Sequence, residues 1–122
     1  MSEVLSDALD RSQIDLLLSL DEGAGAALQE IVEEYLAMSE EGGIQLRRAL
    51  DDGDAHAVER GAHTLKGASA NVGATALVDV CAAIETCARH GQLEGAAELT
   101  EQFEAELSRA RAALQAAIAP RA

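Results

Sequence analysis

A chain of 122 residues with a formal charge of -13 fits one ordinary domain, long enough to bury a core and too short to carry a separate nucleotide-binding module beside it. Nine Lys and Arg against 22 Asp and Glu argue against nucleic acid and anionic membranes as partners, because both demand clustered cations; a basic or metal-bearing protein surface fits better. Alanine, leucine and glutamate dominate, the one proline is Pro120, and the aromatic residues are Tyr35 and Phe103, a composition that favours helix.

Asp10 with Gln13 has the form of a capping box, and Ile14, Leu17 and Leu18 supply an apolar stripe behind it, which predicts a short helix over about 10–20. After the Asp21-Glu22-Gly23 break, Leu28, Val32, Tyr35, Ser39, Gly42, Leu46 and Ala49 recur in steps of four and three. That phase survives Gly42-Gly43 and predicts one long helix, bent there, ending near Asp52-Gly53. Asp54 can cap the next helix, whose inward row is Val58, Ala62, Leu65, Ser69 and Val72, with Gly73 as its end. A further helix begins at Thr75 or Ala76, carries Leu77, Val80, Cys81, Ile84 and Ala88, and stops at His90-Gly91. The last starts near Glu94 and presents Leu99, Phe103, Leu107, Ala110, Leu114 and Ile118 inward before Pro120.

Four long amphipathic helices with short turns predict an all-α protein, an antiparallel four-helix bundle with a short additional N-terminal helix. Residues 1–122 read as a single domain with loose ends at 1–9 and 119–122. No apolar run approaches the length of a membrane span, and no basic-then-apolar leader opens the sequence, so a cytoplasmic location is expected. Cys81 and Cys87, six apart, match neither a CxxC redox pair nor a zinc pattern and read as reduced thiols.

Function concentrates in the segment His63-Thr64-Leu65-Lys66-Gly67. Side chains three and four apart share a helix face, so His63 meets Lys66 and the bare backbone of Gly67 on the side opposite the apolar row. Between Arg60 and Val78 there is no Asp or Glu. A neutral imidazole is a good nucleophile, the nearby ammonium offsets the charge of an incoming phosphoryl group, and a glycine lets a partner's loops approach. His56 and His90 lack this context and read as surface residues, and the acidic pairs Glu33-Glu34, Glu40-Glu41 and Asp51-Asp52 read as solvated faces.

The run from His63 to Ala74, His-Thr-Leu-Lys-Gly-Ala-Ser-Ala-Asn-Val-Gly-Ala, resembles the signature of histidine-containing phosphotransfer (HPt) domains, and weaker similarity extends from about Leu28 to Leu114. The resemblance implies that His63 accepts a phosphoryl group from a receiver-domain aspartate and passes it to another, that Lys66 steadies the phosphoryl, and that Gly67 clears the docking surface. Apolar or small residues at Ala62, Gly67, Ala70 and Ala74 would form a shallow contact patch. Ser69, Asn71 and Gly73 match the signature, but Ser69 falls on the core side and Gly73 at a helix end, and the three read as structural rather than chemical. Gly61 and Gly42-Gly43 depart from a smooth helical pattern and leave local rigidity open.

The implied partners are response-regulator receiver domains, with a hybrid histidine kinase as a further candidate, and the implied state is a monomer. No cofactor is expected to bind stably; Mg²⁺ is expected in the partner receiver. The chain has no His-Glu-x-x-x-Pro pattern and no glycine-rich nucleotide-binding segment, so no autonomous kinase activity is expected. The alternative is a non-phosphorylated helical adaptor for receiver or kinase domains.

Overall fold

A computed structural model describes residues 25–118; the helix expected over about 10–20 and the loose ends expected at 1–9 and 119–122 lie outside them. Four helices follow in order: α1 Gly25–Asp51, α2 Ala55–Asn71, α3 Thr75–Arg89 and α4 Leu93–Ile118. Each packs on its neighbour in sequence, and α1 closes the ring against α4. The predicted all-α four-helix bundle is the observed fold, with no strand among the described residues.

One turn design is used three times. Each connection is three residues long with glycine in the middle, at φ 67° for Gly53, 73° for Gly73 and 72° for Gly91. In each, the glycine N–H returns to the carbonyl three residues back and the next N–H to the carbonyl five residues back, as in Gly53 to Leu50 and Asp54 to Ala49. That is the Schellman arrangement, and it satisfies carbonyls the helix end leaves open. Asp54 then caps α2 by accepting from the Ala57 N–H at 3.1 Å. Tight reversals of this kind make successive helices antiparallel neighbours.

The helices form because their apolar residues fall on one stripe each and those stripes meet. Leu28, Val32, Tyr35, Leu46 and Ala49 of α1 face Val58, Ala62 and Leu65 of α2, Leu77, Cys81 and Ile84 of α3, and Phe103, Ala110 and Leu114 of α4, all in one core. The expected inward rows hold with small exceptions. Val80, Leu99 and Ile118 are only half-buried, and in α4 Ala96 and Thr100 occupy the fully enclosed places, Thr100 Oγ1 donating back to the Ala96 carbonyl at 2.8 Å.

Helix α1 runs unbroken through Gly42-Gly43, because those glycines answer to packing. A Cβ on Gly42 would sit 2.7 Å from Leu65 Cδ2, and one on Gly43 would sit 3.4 Å from Phe103 Cε2. Gly61 in α2 likewise faces Leu46 Cδ2 at 3.3 Å. These positions let α1 lie close against α2 and α4, which outweighs the roughly 1 kcal/mol a mid-helix glycine costs relative to alanine. Among the described residues, no helix is long and apolar enough to cross a membrane.

Candidate functional site

His63 sits midway along α2 on the face away from the core, its side chain 68% exposed. The buried row of the same helix holds it there: Val58, Ala62, Leu65 and Ser69 are all enclosed, and the Ser69 hydroxyl pairs with Tyr35 across to α1 at 2.8 Å. Burial pushes the Tyr35 phenol above its ordinary pKa, with the Ser69 bond opposing. Ser69 therefore ties the helix down from the core side, and Gly73 supplies the positive φ that ends the segment.

The acid-free stretch around His63 does not leave it without a carboxylate, because α3 delivers one. Glu85 Oε2 lies 2.9 Å from His63 Nδ1, and Glu85 Oε1 accepts from Lys66 Nζ at 2.6 Å. Arg89, one turn further along α3, reaches Glu85 Oε2 at 3.4 Å and Glu59 Oε2 at 3.0 Å. The acid-free run along α2 therefore does not extend to the space around His63: sequence distance hid a contact between two helices. Lys66 faces the same side as His63, as expected, but its ammonium already donates to Glu85.

The Lys66 ammonium holds the Glu85 carboxyl below the usual glutamate range, burial pulls the other way, and the His63 imidazole adds to the lowering. An ionised carboxylate can only accept, so in the neutral ring Nδ1 carries the proton and Nε2 keeps its lone pair. The nitrogen away from Glu85 is then the nucleophilic one.

Gly67 differs from the other glycines in the helix interiors. Gly42, Gly43, Gly61 and Gly95 each have a neighbour within 3.4 Å of where a Cβ would lie, whereas Gly67 has nothing within 4 Å. Nothing among the described residues requires glycine at that place. Ala70 is exposed on the same face, but Ala62 and Ala74, expected in the contact patch, are 0% exposed. That assignment is corrected: Ala62 is in step with Val58 and Leu65, and Ala74 folds under the Gly73 turn to open α3, so neither side chain can meet a partner.

Of the other sequence candidates, His56 is exposed, and His90 Nδ1 lies 2.8 Å from the Thr86 carbonyl at the end of α3. Both cysteines are free; burial pushes the Cys81 thiol up to about 12, far from a reactive thiolate.

Glu85 is the site residue that sequence reasoning missed, although a signal is present. It follows Ile84 and lies four after Cys81 on the buried side of α3, and a carboxylate on an apolar stripe is retained only with cationic or hydrogen-bonding partners.

An exposed imidazole steadied by a carboxylate, an ammonium one turn away and a bare glycine beside it form a compact nucleophilic site on a helical bundle. The family model of the Hpt domain matches residues 30–113. The chain belongs to the Hpt domain family. Among solved structures, this Hpt domain is similar to the crystal structure of histidine-containing phosphotransfer protein B (HptB) from Pseudomonas aeruginosa PAO1. The two are 34% identical, the match covers 93% of this chain and 97% of that one, and the TM-score is 0.83. No curated protein matches the chain. Membership gives this Hpt domain a phosphotransfer role in two-component signalling, in which such domains meet receiver domains and histidine kinases.

Proposed function

We propose that this Hpt protein is a phosphorelay intermediate in the cytoplasm, accepting a phosphoryl group on His63 from the aspartyl phosphate of one receiver domain and passing it to the aspartate of another. The observation that carries this reading is the Glu85 bond to Nδ1 of a His63 side chain that is 68% exposed, which leaves the Nε2 lone pair for attack.

In the forward step the Nε2 lone pair forms the N–P bond as the P–O bond to the receiver aspartate breaks, and the carboxylate leaves with its electron pair. The proton on Nδ1 stays, so the ring becomes a phosphoimidazolium whose positive charge faces Glu85. Lys66 has three N–H donors and Glu85 takes one at 2.6 Å, so the ammonium can also address phosphoryl oxygens. Mg²⁺ belongs to the receiver in this scheme, and no cofactor binds stably to the Hpt protein itself. An adaptor that only docked would gain nothing from a carboxylate orienting the imidazole.

Two outcomes follow for variants. Lys66→Ala is expected to slow acceptance about tenfold, the scale of one charge-assisted contact in a half-exposed place, with the helical content unchanged. Transfer at the wild-type rate would remove its electrostatic role. A Cβ at position 67 meets nothing within 4 Å and glutamine is a good helix former, so in Gly67→Gln the fold should hold or gain slightly while receiver binding weakens. Undiminished binding would remove the clearance argument.

The relay itself is tested by loading the protein from one phosphorylated receiver, purifying it, and adding a second, unphosphorylated receiver with Mg²⁺. Loss of the acid-labile phosphoryl from the Hpt protein with matching gain on the second receiver is expected. Retention of the label with every receiver tried would reduce the reading to a terminal acceptor.

A further inference from the structure

The described residues contain six arginines, and four are committed to carboxylates: Arg47 to Glu104, Arg89 to Glu59 and Glu85, Arg109 to Glu106, and Arg111 to Glu40. The two with no carboxylate in ion-pair reach among the described residues are Arg48 of α1 and Arg60 of α2. In a chain with 22 acids and nine Lys and Arg, both line the same groove between α1 and α2.

That groove has a volume of about 550 Å³ and a graded lining. Its acids, Asp52 and Asp54, stand at the turn end, and one Asp54 oxygen is already occupied by the Ala57 N–H. Arg60 lies four residues before Thr64, which also lines the groove and is next to His63; Asp54 is ten residues before Thr64, roughly 15 Å along the helix. The Thr64 hydroxyl is turned back to the Arg60 carbonyl at 3.1 Å. On the other side of His63 the cations are neutralised: Lys66 and Arg89 share Glu85, and Arg89 also binds Glu59. Among the described residues, positive charge not offset by an ion pair therefore stands at Arg60, in the α1–α2 groove, and at Arg48, on the ridge of α1 between that groove and the one toward α4.

We propose that the α1–α2 groove seats the acidic rim of a receiver's phosphorylation site, with Arg48 and Arg60 selecting the partner and setting its approach to His63; this rests on the relay reading above. Charge complementarity picks the occupant. A phosphodonor site that holds an aspartate and binds Mg²⁺ through carboxylates is an acidic surface. Such a surface is repelled by most of a chain of charge -13 and attracted where unpaired guanidiniums stand. The rest of the acidic exterior then works as a guide, disfavouring misdirected encounters.

The test uses the full chain and, as donor, the receiver domain from the same genome that loads wild type fastest. Rates of phosphoryl acceptance are measured for wild type, Arg60→Lys, Arg60→Glu and Arg48→Glu/Arg60→Glu over a range of NaCl concentrations, with circular dichroism to confirm folding. Charge reversal at both sites is expected to lower kcat/KM about tenfold or more at low salt and to alter its salt dependence, while Arg60→Lys stays near wild type. Equal rates and salt profiles for wild type and the folded double variant would overturn the proposal while leaving the relay standing. Failure of wild type to accept phosphoryl from any receiver would overturn the relay reading, and the groove proposal with it. A concentration-dependent dimer abolished by the double substitution, with transfer unaffected, would assign the groove to a second copy and overturn the receiver assignment.

Discussion

Replacing Glu85 by alanine is expected to slow phosphoryl acceptance by His63 about ten- to a hundredfold while the bundle stays folded. The carboxylate fixes the proton on Nδ1, orients the ring, and faces the positive charge that develops when Nε2 attacks. A loss of one to two orders of magnitude corresponds to about 1.4 to 2.7 kcal/mol, a reasonable size for one charged contact in a place only 10% exposed. Glu85→Gln separates the contributions: it keeps an acceptor for Nδ1–H but removes the negative charge, so its rate should fall between wild type and alanine. Equal rates for all three would leave Glu85 as a structural tether for Lys66 and Arg89 and nothing more.

The same residue has a pH signature. Because Glu85 has a lowered pKa in the folded state, the folded chain binds fewer protons there than the unfolded one. Its contribution to stability is complete above the ordinary glutamate value, roughly 4.3, and is lost as pH falls through the lowered value. Wild type should therefore be more stable than Glu85→Gln at neutral pH, with the gap closing in acid, as read by urea unfolding at several pH values. A gap independent of pH would contradict the ion-pair account.

The largest stability effect is expected for Phe103→Ala, about 3 kcal/mol, at the low end for buried phenylalanine because the residue also borders the α1–α4 groove and the hole can partly fill with water. Phe103 is 0% exposed and sits against the bare backbone of Gly43, so it fills the seam between α1 and α4. The surface pairs Arg47–Glu104 and Arg111–Glu40 also join these helices, but exposed ion pairs contribute little. Thermal unfolding should show a Tm lower by on the order of 10 °C. A shift of only a degree or two would mean that the α1–α4 seam depends on other residues.

Much of the fold and part of the site are legible in the amino-acid sequence, for reasons that differ by element. The turns at Gly53, Gly73 and Gly91 are readable because a three-residue reversal needs a positive φ at a fixed place, and glycine marks it. The outward placement of His63 follows from the inward row of α2, since helical angles are set by chain geometry alone. Glu85 is hidden because its meeting with His63 is a property of two packed helices, and nothing within α2 announces it. Nearness to the motif along the chain places Ala62 and Ala74 in the contact patch, against the periodicity that buries Ala62; the core has the stronger claim on both. Gly42, Gly43 and Gly61 read as weak points within helices and become reasonable only when Leu65, Phe103 and Leu46 are seen pressing against them.

Whether His63 carries the phosphoryl group is read most directly from intact mass after incubation with a phosphorylated receiver and Mg²⁺. Wild type should gain one phosphoryl that acid removes, and His63→Gln should gain none. An equal adduct on the variant, or an adduct stable to acid, would place the phosphoryl elsewhere and contradict the account.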